Sequence, residues 1–213
     1  GPDGVESEDW RQDDGIDGWR LDVPNCLENQ GFWNEWRKVV KESKKDSYIT
    51  AELWGNASAD INNGNKFDTV MNYEWLKTVI GFFVNQSSQG GDRYKLKAQD
   101  FFNELREKSS WYPYQALQAS QNLNGSHDTD RLYSRIVNDG IGRNLEEGKQ
   151  LEKGYNSIKP CLAGNYHPNT TIDWRNSEIK PKDILKLISI FQMTYIGAPM
   201  LFYGDEVGMW GAT

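Results

Sequence analysis

The chain has 213 residues, a formal net charge of −7 and 26% charged residues, which is enough for one sizeable domain with its own core. The acidic balance argues against a nucleic-acid partner and against an anionic membrane surface. No window approaches the roughly 18 consecutive apolar residues of a membrane span. The aromatic content of 9 Trp, 10 Tyr and 8 Phe fits a large core, or a groove offering flat faces to a neutral ligand, and composition does not choose between them. Cys26 and Cys161 make no metal-ligand spacing and no disulfide framework, so the redox compartment stays open.

Residues 1–14 read as an acidic loop running directly into Gly15-Ile16-Asp17-Gly18-Trp19-Arg20-Leu21-Asp22-Val23-Pro24-Asn25. In that stretch Trp19, Leu21 and Val23 alternate with Arg20 and Asp22, so a period of two predicts a strand with one apolar and one ionic face. Pro24 and Asn25 end it and leave Asp22 at its C-terminal tip. Apolar residues at 32, 33, 36, 39 and 40 predict a helix with one buried stripe. The basic residues Lys41, Lys44 and Lys45 suit its negative pole. A second strand over 48–54 carries Glu52 near its end. Strand, helix and strand span about the 30 residues of a βαβ unit, which puts Asp22 and Glu52 on one edge of a parallel sheet.

Residues 60–66 read as a polar loop, 67–73 as a third strand and 74–84 as a helix, followed by a Gly/Ser-rich break over 86–92. Helices are expected over 98–108 and 114–120. A fourth strand over 121–124 opens into Gly125-Ser126-His127-Asp128-Thr129-Asp130-Arg131. Residues 138–180 read as an insertion, either functional or loosely ordered. A helix over 183–196 follows, with Pro181 near its start and Gly197 past its end, and the last strand is 199–203.

Asp22, Glu52 and Asp128 thus each close a strand of a parallel α/β pattern, with His127 beside the third. Two carboxyl groups about 5–5.5 Å apart across a glycosidic bond are what a retaining glycosidase requires. One must be ionised to attack the anomeric carbon, and the other protonated to release the leaving group. Arg20 stands beside Asp22 in sequence, whereas Glu52 lies among Ala51, Leu53 and Trp54 with no adjacent cation.

Three segments resemble conserved segments of the α-amylase family, glycoside hydrolase family 13, in order and spacing. They are Gly18-Trp19-Arg20-Leu21-Asp22, Ala51-Glu52-Leu53-Trp54 and Asn124-Gly125-Ser126-His127-Asp128-Thr129. The run Gly197-Ala198-Pro199-Met200-Leu201-Phe202-Tyr203-Gly204-Asp205-Glu206-Val207-Gly208-Met209 resembles the family's eighth barrel strand and its exit. The wording is most similar to the neopullulanase, cyclomaltodextrinase and maltogenic amylase branch. This resemblance implies Asp22 as nucleophile, Glu52 as general acid/base and Asp128 as the group that stabilises the distorted transition state. Arg20 would orient Asp22, His127 would bind the sugar, and Asn25 and Trp54 would line subsites, with core packing an equal reading for Trp54. It implies an α-glucan substrate such as starch, maltooligosaccharides or cyclodextrins. No cofactor is required for the chemistry, and structural calcium is allowed in a full-length enzyme. Four residues after Asp22 the branch usually carries Glu, His or Lys, and here stands Cys26.

The family's first conserved segment is absent, and a whole (β/α)8 TIM barrel needs about 250 residues. The expectation is an α/β fold forming strands four to eight of such a barrel, with residues 1–213 a fragment of its catalytic domain. The missing N-terminal half is then an implied partner, and the fragment alone is expected to be inactive. The rival reading is a catalytically silent sugar-binding or interaction protein on the same barrel. Asn-x-Ser/Thr acceptors occur at Asn56, Asn85, Asn124 and Asn169. Glycans at Asn56 and Asn124 would block the proposed site, which weakly disfavours a glycosylating compartment; cytoplasmic and exported locations both stay open.

Overall fold

The computed structural model describes residues 16–27, 31–84, 96–129, 131–137 and 181–209. The expected loop over 1–14, the break over 86–92 and the insertion over 138–180 lie outside these residues, as do Cys161, Asn85 and Asn169. Strands β1 (Gly18–Leu21), β2 (Tyr48–Ala51) and β3 (Thr69–Val70) form one parallel sheet in sequence order. Strands β4 (Gln121–Leu123) and β5 (Ala198–Met200) form a second parallel pair. A parallel bridge between Met71 and Gln121, supported by the Asn72 N–H donating to the Gln121 carbonyl at 2.8 Å, joins the two. The α/β architecture and all-parallel pairing read from the sequence are therefore present.

Each strand is shorter than its sequence pattern. The first keeps its alternation only at Leu21, which is buried, while Trp19 is 42% exposed. Gly18 is required where β1 meets β2: a Cβ there would stand 2.3 Å from the Tyr48 carbonyl oxygen. Helix α1 (Phe32–Ser43) forms as expected but buries no residue fully, and Phe32 and Val39 are exposed. Its basic end makes tertiary contacts: Lys41 reaches the Ser47 carbonyl and Asp68, and Lys44 pairs with Asp17 at 2.6 Å. Arg37 completes the clamp on Asp68 at 2.7 Å.

A short helix α2 (Ser58–Ile61) interrupts the segment expected to be loop, because Ile61 is drawn into the core under β2. Helix α3 (Tyr73–Val79) is capped by Asn72, whose Oδ1 accepts from the Trp75 N–H at 3.0 Å, and it widens into a π-turn over Ile80–Val84. Helices α4 (Ala98–Ser109) and α5 (Tyr114–Ala119) match expectation, and α6 (Leu132–Val137) was not anticipated. Helix α7 (Pro181–Thr194) opens on its proline, and Gly197 follows with a φ of 123°.

Two apolar clusters fill the interior. One packs Ile49, Ala51, Leu53 and Phe67 beneath Trp33 and Trp36 of α1. The other packs Trp75, Leu76, Val79 and Ile80 against Leu123, Leu132 and Ile188. Gln192 of α7 is fully buried yet satisfied: its amide donates to the carbonyls of Asn122 at 2.8 Å and Met200 at 2.9 Å, and its Oε1 accepts from Asn124 at 2.7 Å. One side chain thus ties α7 to both β4 and β5. No helix among the described residues is long and apolar enough to cross a membrane.

The close approach at Gly18 carries an expected outcome. Gly18→Ala forces β1 away from the Tyr48 carbonyl and lowers folding stability by about 1–3 kcal/mol, the usual cost of overpacking, as measured by urea unfolding.

Candidate active site

The register of β1 against β2 builds the first part of the site. Leu21 lies opposite Ala51, and the Glu52 N–H donates to the Leu21 carbonyl at 2.9 Å. Asp22 and Glu52 therefore leave the sheet at the same level, on the C-terminal edge where parallel α/β sheets place ligands. Val23 then turns the chain with φ 30° and ψ 56°. Left-handed backbone at a β-branched residue costs on the order of 1–3 kcal/mol, and here it aims the Val23 N–H at Glu52 Oε2, 3.1 Å away. The turn continues as Pro24–Cys26, pinned by the Trp33 indole donating to the Pro24 carbonyl at 2.8 Å.

Arg20 organises both carboxylates. Its Nη1 lies 2.5 Å from Asp22 Oδ1, its Nη2 3.1 Å from Glu52 Oε1, and its Nε 3.4 Å from Met71 Sδ. This corrects the sequence expectation that Glu52 has no cation at hand. Adjacency along the chain shows only one strand, whereas parallel pairing brings the β1 guanidinium to β2. The difference between the carboxylates is exposure, at 73% for the Asp22 side chain and 4% for Glu52. The hydrogen bond from Arg20 holds the Asp22 carboxyl below its ordinary value, with desolvation opposing and the Arg20 charge, Glu52 and His127 adding to the lowering.

The third carboxylate sits on a closed turn after β4. The Ser126 N–H donates to Thr129 Oγ1 at 2.9 Å, the Thr129 N–H returns to the Ser126 carbonyl at 3.2 Å, and the Asp128 N–H donates to Ser126 Oγ at 3.2 Å. His127 is exposed and its Nε2 lies 3.1 Å from Asp128 Oδ2. Tyr73, which sequence reasoning passed over, links this turn to Trp54 in the loop after Glu52. Its hydroxyl is 3.2 Å from Ser126 Oγ, and its ring stacks on Trp54 with centroids 3.8 Å apart. Burial, aided by the charges of Glu52 and Asp128, pushes its hydroxyl up to about 12, so it stays protonated at neutral pH. The available signal was position: Tyr73 follows a strand tip just as Asp22 and Glu52 do.

Trp54 is 48% exposed, outside the core, with one ring face on Tyr73. Asn25 is exposed and lines a cavity of 150 Å³ beside the β1 exit, walled by Trp33, Leu53, Asp60, Lys66 and Phe67. Cys26 is a free, exposed thiol. Asn124 is 3% exposed and its amide nitrogen is engaged by Gln192, so the folded chain cannot carry a glycan there; Asn56 is exposed. Among the described residues no group of three or more His, Cys, Asp or Glu side chains could hold a metal ion.

Fold and site together define an α/β domain in which Asp22, Glu52 and Asp128 each follow the C-terminal end of a parallel strand. Residues 6–166 match the family described as alpha amylase, catalytic domain, and the chain belongs to that family. It is 34% identical to a cyclomaltodextrinase of Bacillus sp over 96% of this chain and 27% of that protein. To neopullulanase 2 of Thermoactinomyces vulgaris it is 35% identical over 93% of this chain and 25% of the relative. Among solved structures, a Nostoc punctiforme debranching enzyme superposes with a TM-score of 0.65 at 28% identity, covering 93% of this chain and 35% of that one. The chain thus spans about a quarter of the length of the curated relatives it matches.

The shared guanidinium makes a direct forecast. Arg20→Gln removes the donor to Asp22, so the Asp22 carboxyl titrates at a higher pH than in the wild-type protein, read by carboxyl-carbon NMR. An unchanged titration would show that Arg20 does not set the charge of Asp22.

Proposed function

We propose that this chain supplies the catalytic carboxylates of a retaining glycoside hydrolase acting on α-glucans such as starch, maltooligosaccharides or cyclodextrins. The observation that carries the reading is the single guanidinium of Arg20 held between Asp22 and Glu52 at one level of the sheet edge. In this scheme Asp22, exposed and kept ionised, attacks the anomeric carbon while the Glu52 carboxyl gives its proton to the departing glycosidic oxygen. The carbon–oxygen bond to the leaving sugar breaks as the bond to Asp22 forms. Glu52, now a carboxylate, takes a proton from water, whose oxygen displaces Asp22 from the same carbon. A sugar hydroxyl in place of that water makes the reaction a transfer.

Asp128, on the turn fixed by Ser126 and Thr129, binds sugar hydroxyls and stabilises the oxocarbenium-like transition state. His127 adds a donor at the same subsite. The exposed face of Trp54 gives a stacking surface for a sugar ring. Asn25, at the exit of β1, lines a subsite.

We further infer that β1–β5 are strands four to eight of an eight-stranded barrel. Supporting this, the strands are parallel and follow sequence order, and both outer margins present apolar side chains to solvent. At the β1 margin these are Ile16, at 58%, and Trp19; at the β5 margin they are Leu201, at 51%, and Tyr203, at 69%, with Leu187, Ile190 and Met193 of α7 nearby in sequence. An open parallel edge of this kind calls for a covering element. The 213 residues alone are therefore inactive, and starch hydrolysis by this chain that Asp22→Asn abolishes would overturn that statement.

The catalytic reading is tested in the full-length protein. Glu52→Gln is expected to lower kcat by about 10²–10⁴-fold while maltooligosaccharide binding persists. Proton NMR of the first product is expected to show the α anomer. A β anomer, or a Glu52→Gln variant with wild-type turnover, would sink the proposal.

A further inference from the structure

The turn that carries Asp128 returns to the body of the protein through Arg131, three residues on and 7% exposed. Its guanidinium donates to the Tyr203 carbonyl and stands 4.2 Å from the ring centroid of Phe202 and 4.3 Å from that of Tyr203. Its Nη1 lies 3.9 Å from Asp205 Oδ1. The Asp205 side chain is 7% exposed, and neither carboxylate oxygen accepts a hydrogen bond among the described residues. Burying a carboxylate is costly, and the charge of Arg131 supplies the largest attraction that opposes this cost.

We propose that Arg131 and Asp205 form a latch that positions Asp128, by fixing the chain just after the turn over 126–129 to the turn over 204–208 after β5. The proposal rests on the catalytic reading of Asp128 given above. Between Arg131 and Asp128 the chain passes through Thr129, whose side chain and N–H both bond back to Ser126. Asp128 lies inside that closed turn, so displacement of the Arg131 end is carried to its carboxylate. Arg131 is a positioning residue, and Asp205 supplies the charge that holds it. The stacked rings and the carbonyl contact persist at any ordinary pH, but the ion pair does not. Burial pushes the Asp205 carboxyl up to about 6, with Arg131 pulling it down and Glu206, on the same turn, adding to the rise. As pH falls through that value Asp205 takes up a proton, Arg131 loses its counter-charge, and the hold on Asp128 loosens.

The test uses the full-length enzyme on a maltooligosaccharide, comparing wild type, Asp205→Asn, Asp205→Glu and Glu52→Gln across pH 4.5–8. Asp205→Asn is expected to lower kcat by about 10-fold with a smaller change in KM, since a small misplacement of a reacting group is costly. It also removes the component titrating near pH 6 from the acid limb of the wild-type profile, and Asp205→Glu restores part of both. Wild-type kcat and an unchanged acid limb in Asp205→Asn would overturn the latch, even with a lowered Tm, because a merely structural pair moves stability alone. Should Asp205→Asn fail to fold, Arg131→Lys is read in its place: it keeps the charge but not the planar stacking fork, and unchanged kcat overturns the proposal. A wild-type profile with no component near pH 6 overturns it without any variant. Full turnover in Glu52→Gln would instead defeat the catalytic reading itself, so the two failures are told apart.

Discussion

The site depends on one guanidinium in contact with three strand ends. Arg20 bonds to Asp22 beyond its own strand, to Glu52 beyond β2 and to Met71 beyond β3. A planar group with donors in a fixed fork can do this, whereas a lysine ammonium on a flexible stem cannot hold the same geometry. The consequence is that two carboxylates of unlike exposure share one positive charge. Asp22 remains open to solvent while Glu52 is enclosed, with Arg20 on one oxygen and the strained Val23 N–H on the other. The left-handed turn at Val23 makes sense in this light. A β-branched residue is held in an unfavourable conformation because the turn directs a backbone donor at Glu52.

The third carboxylate reaches the same edge by a different physical route. Its strand, β4, is held by buried amides more than by ladder length. Asn72 donates to Asn122 at 3.0 Å, Asn122 donates to the Ile196 carbonyl at 2.8 Å, and Gln192 joins β4, β5 and Asn124. A buried polar network of this kind fixes one register, because a slip would strand several buried donors together. Tyr73 then spans from Trp54 to Ser126, so the turn bearing Asp128 is coupled to the loop after Glu52.

Much of this was legible in the sequence for a simple reason. The alternation around Leu21, the β-branched run Tyr48-Ile49-Thr50 and the 3.6-residue stripe of α1 are local patterns, and local patterns report local structure. The βαβ spacing then placed Asp22 and Glu52 on one edge. The errors were of the opposite kind. Glu52 read as having no adjacent cation because its partner lies on the neighbouring strand. The segment over 60–66 read as loop because nothing polar and Asn-rich predicts that Ile61 is drawn beneath β2 to form α2. Trp54 could be read as core or as surface from its neighbours, and only its stack on Tyr73 decided its exposure.

By itself, then, the amino-acid order determined the all-parallel α/β pattern, the family and the identity of the acidic residues at the strand tips. Those follow from periodicity, from connection length and from motif wording, all of which are written along one strand at a time. Tertiary structure alone decided that Arg20 serves two carboxylates, that Val23 leaves the alternation to bond Glu52, and that Arg131 meets a buried Asp205 across the turn after β5. Each of these joins residues far apart in sequence, and each depends on which side chains the sheet register brings within hydrogen-bond reach.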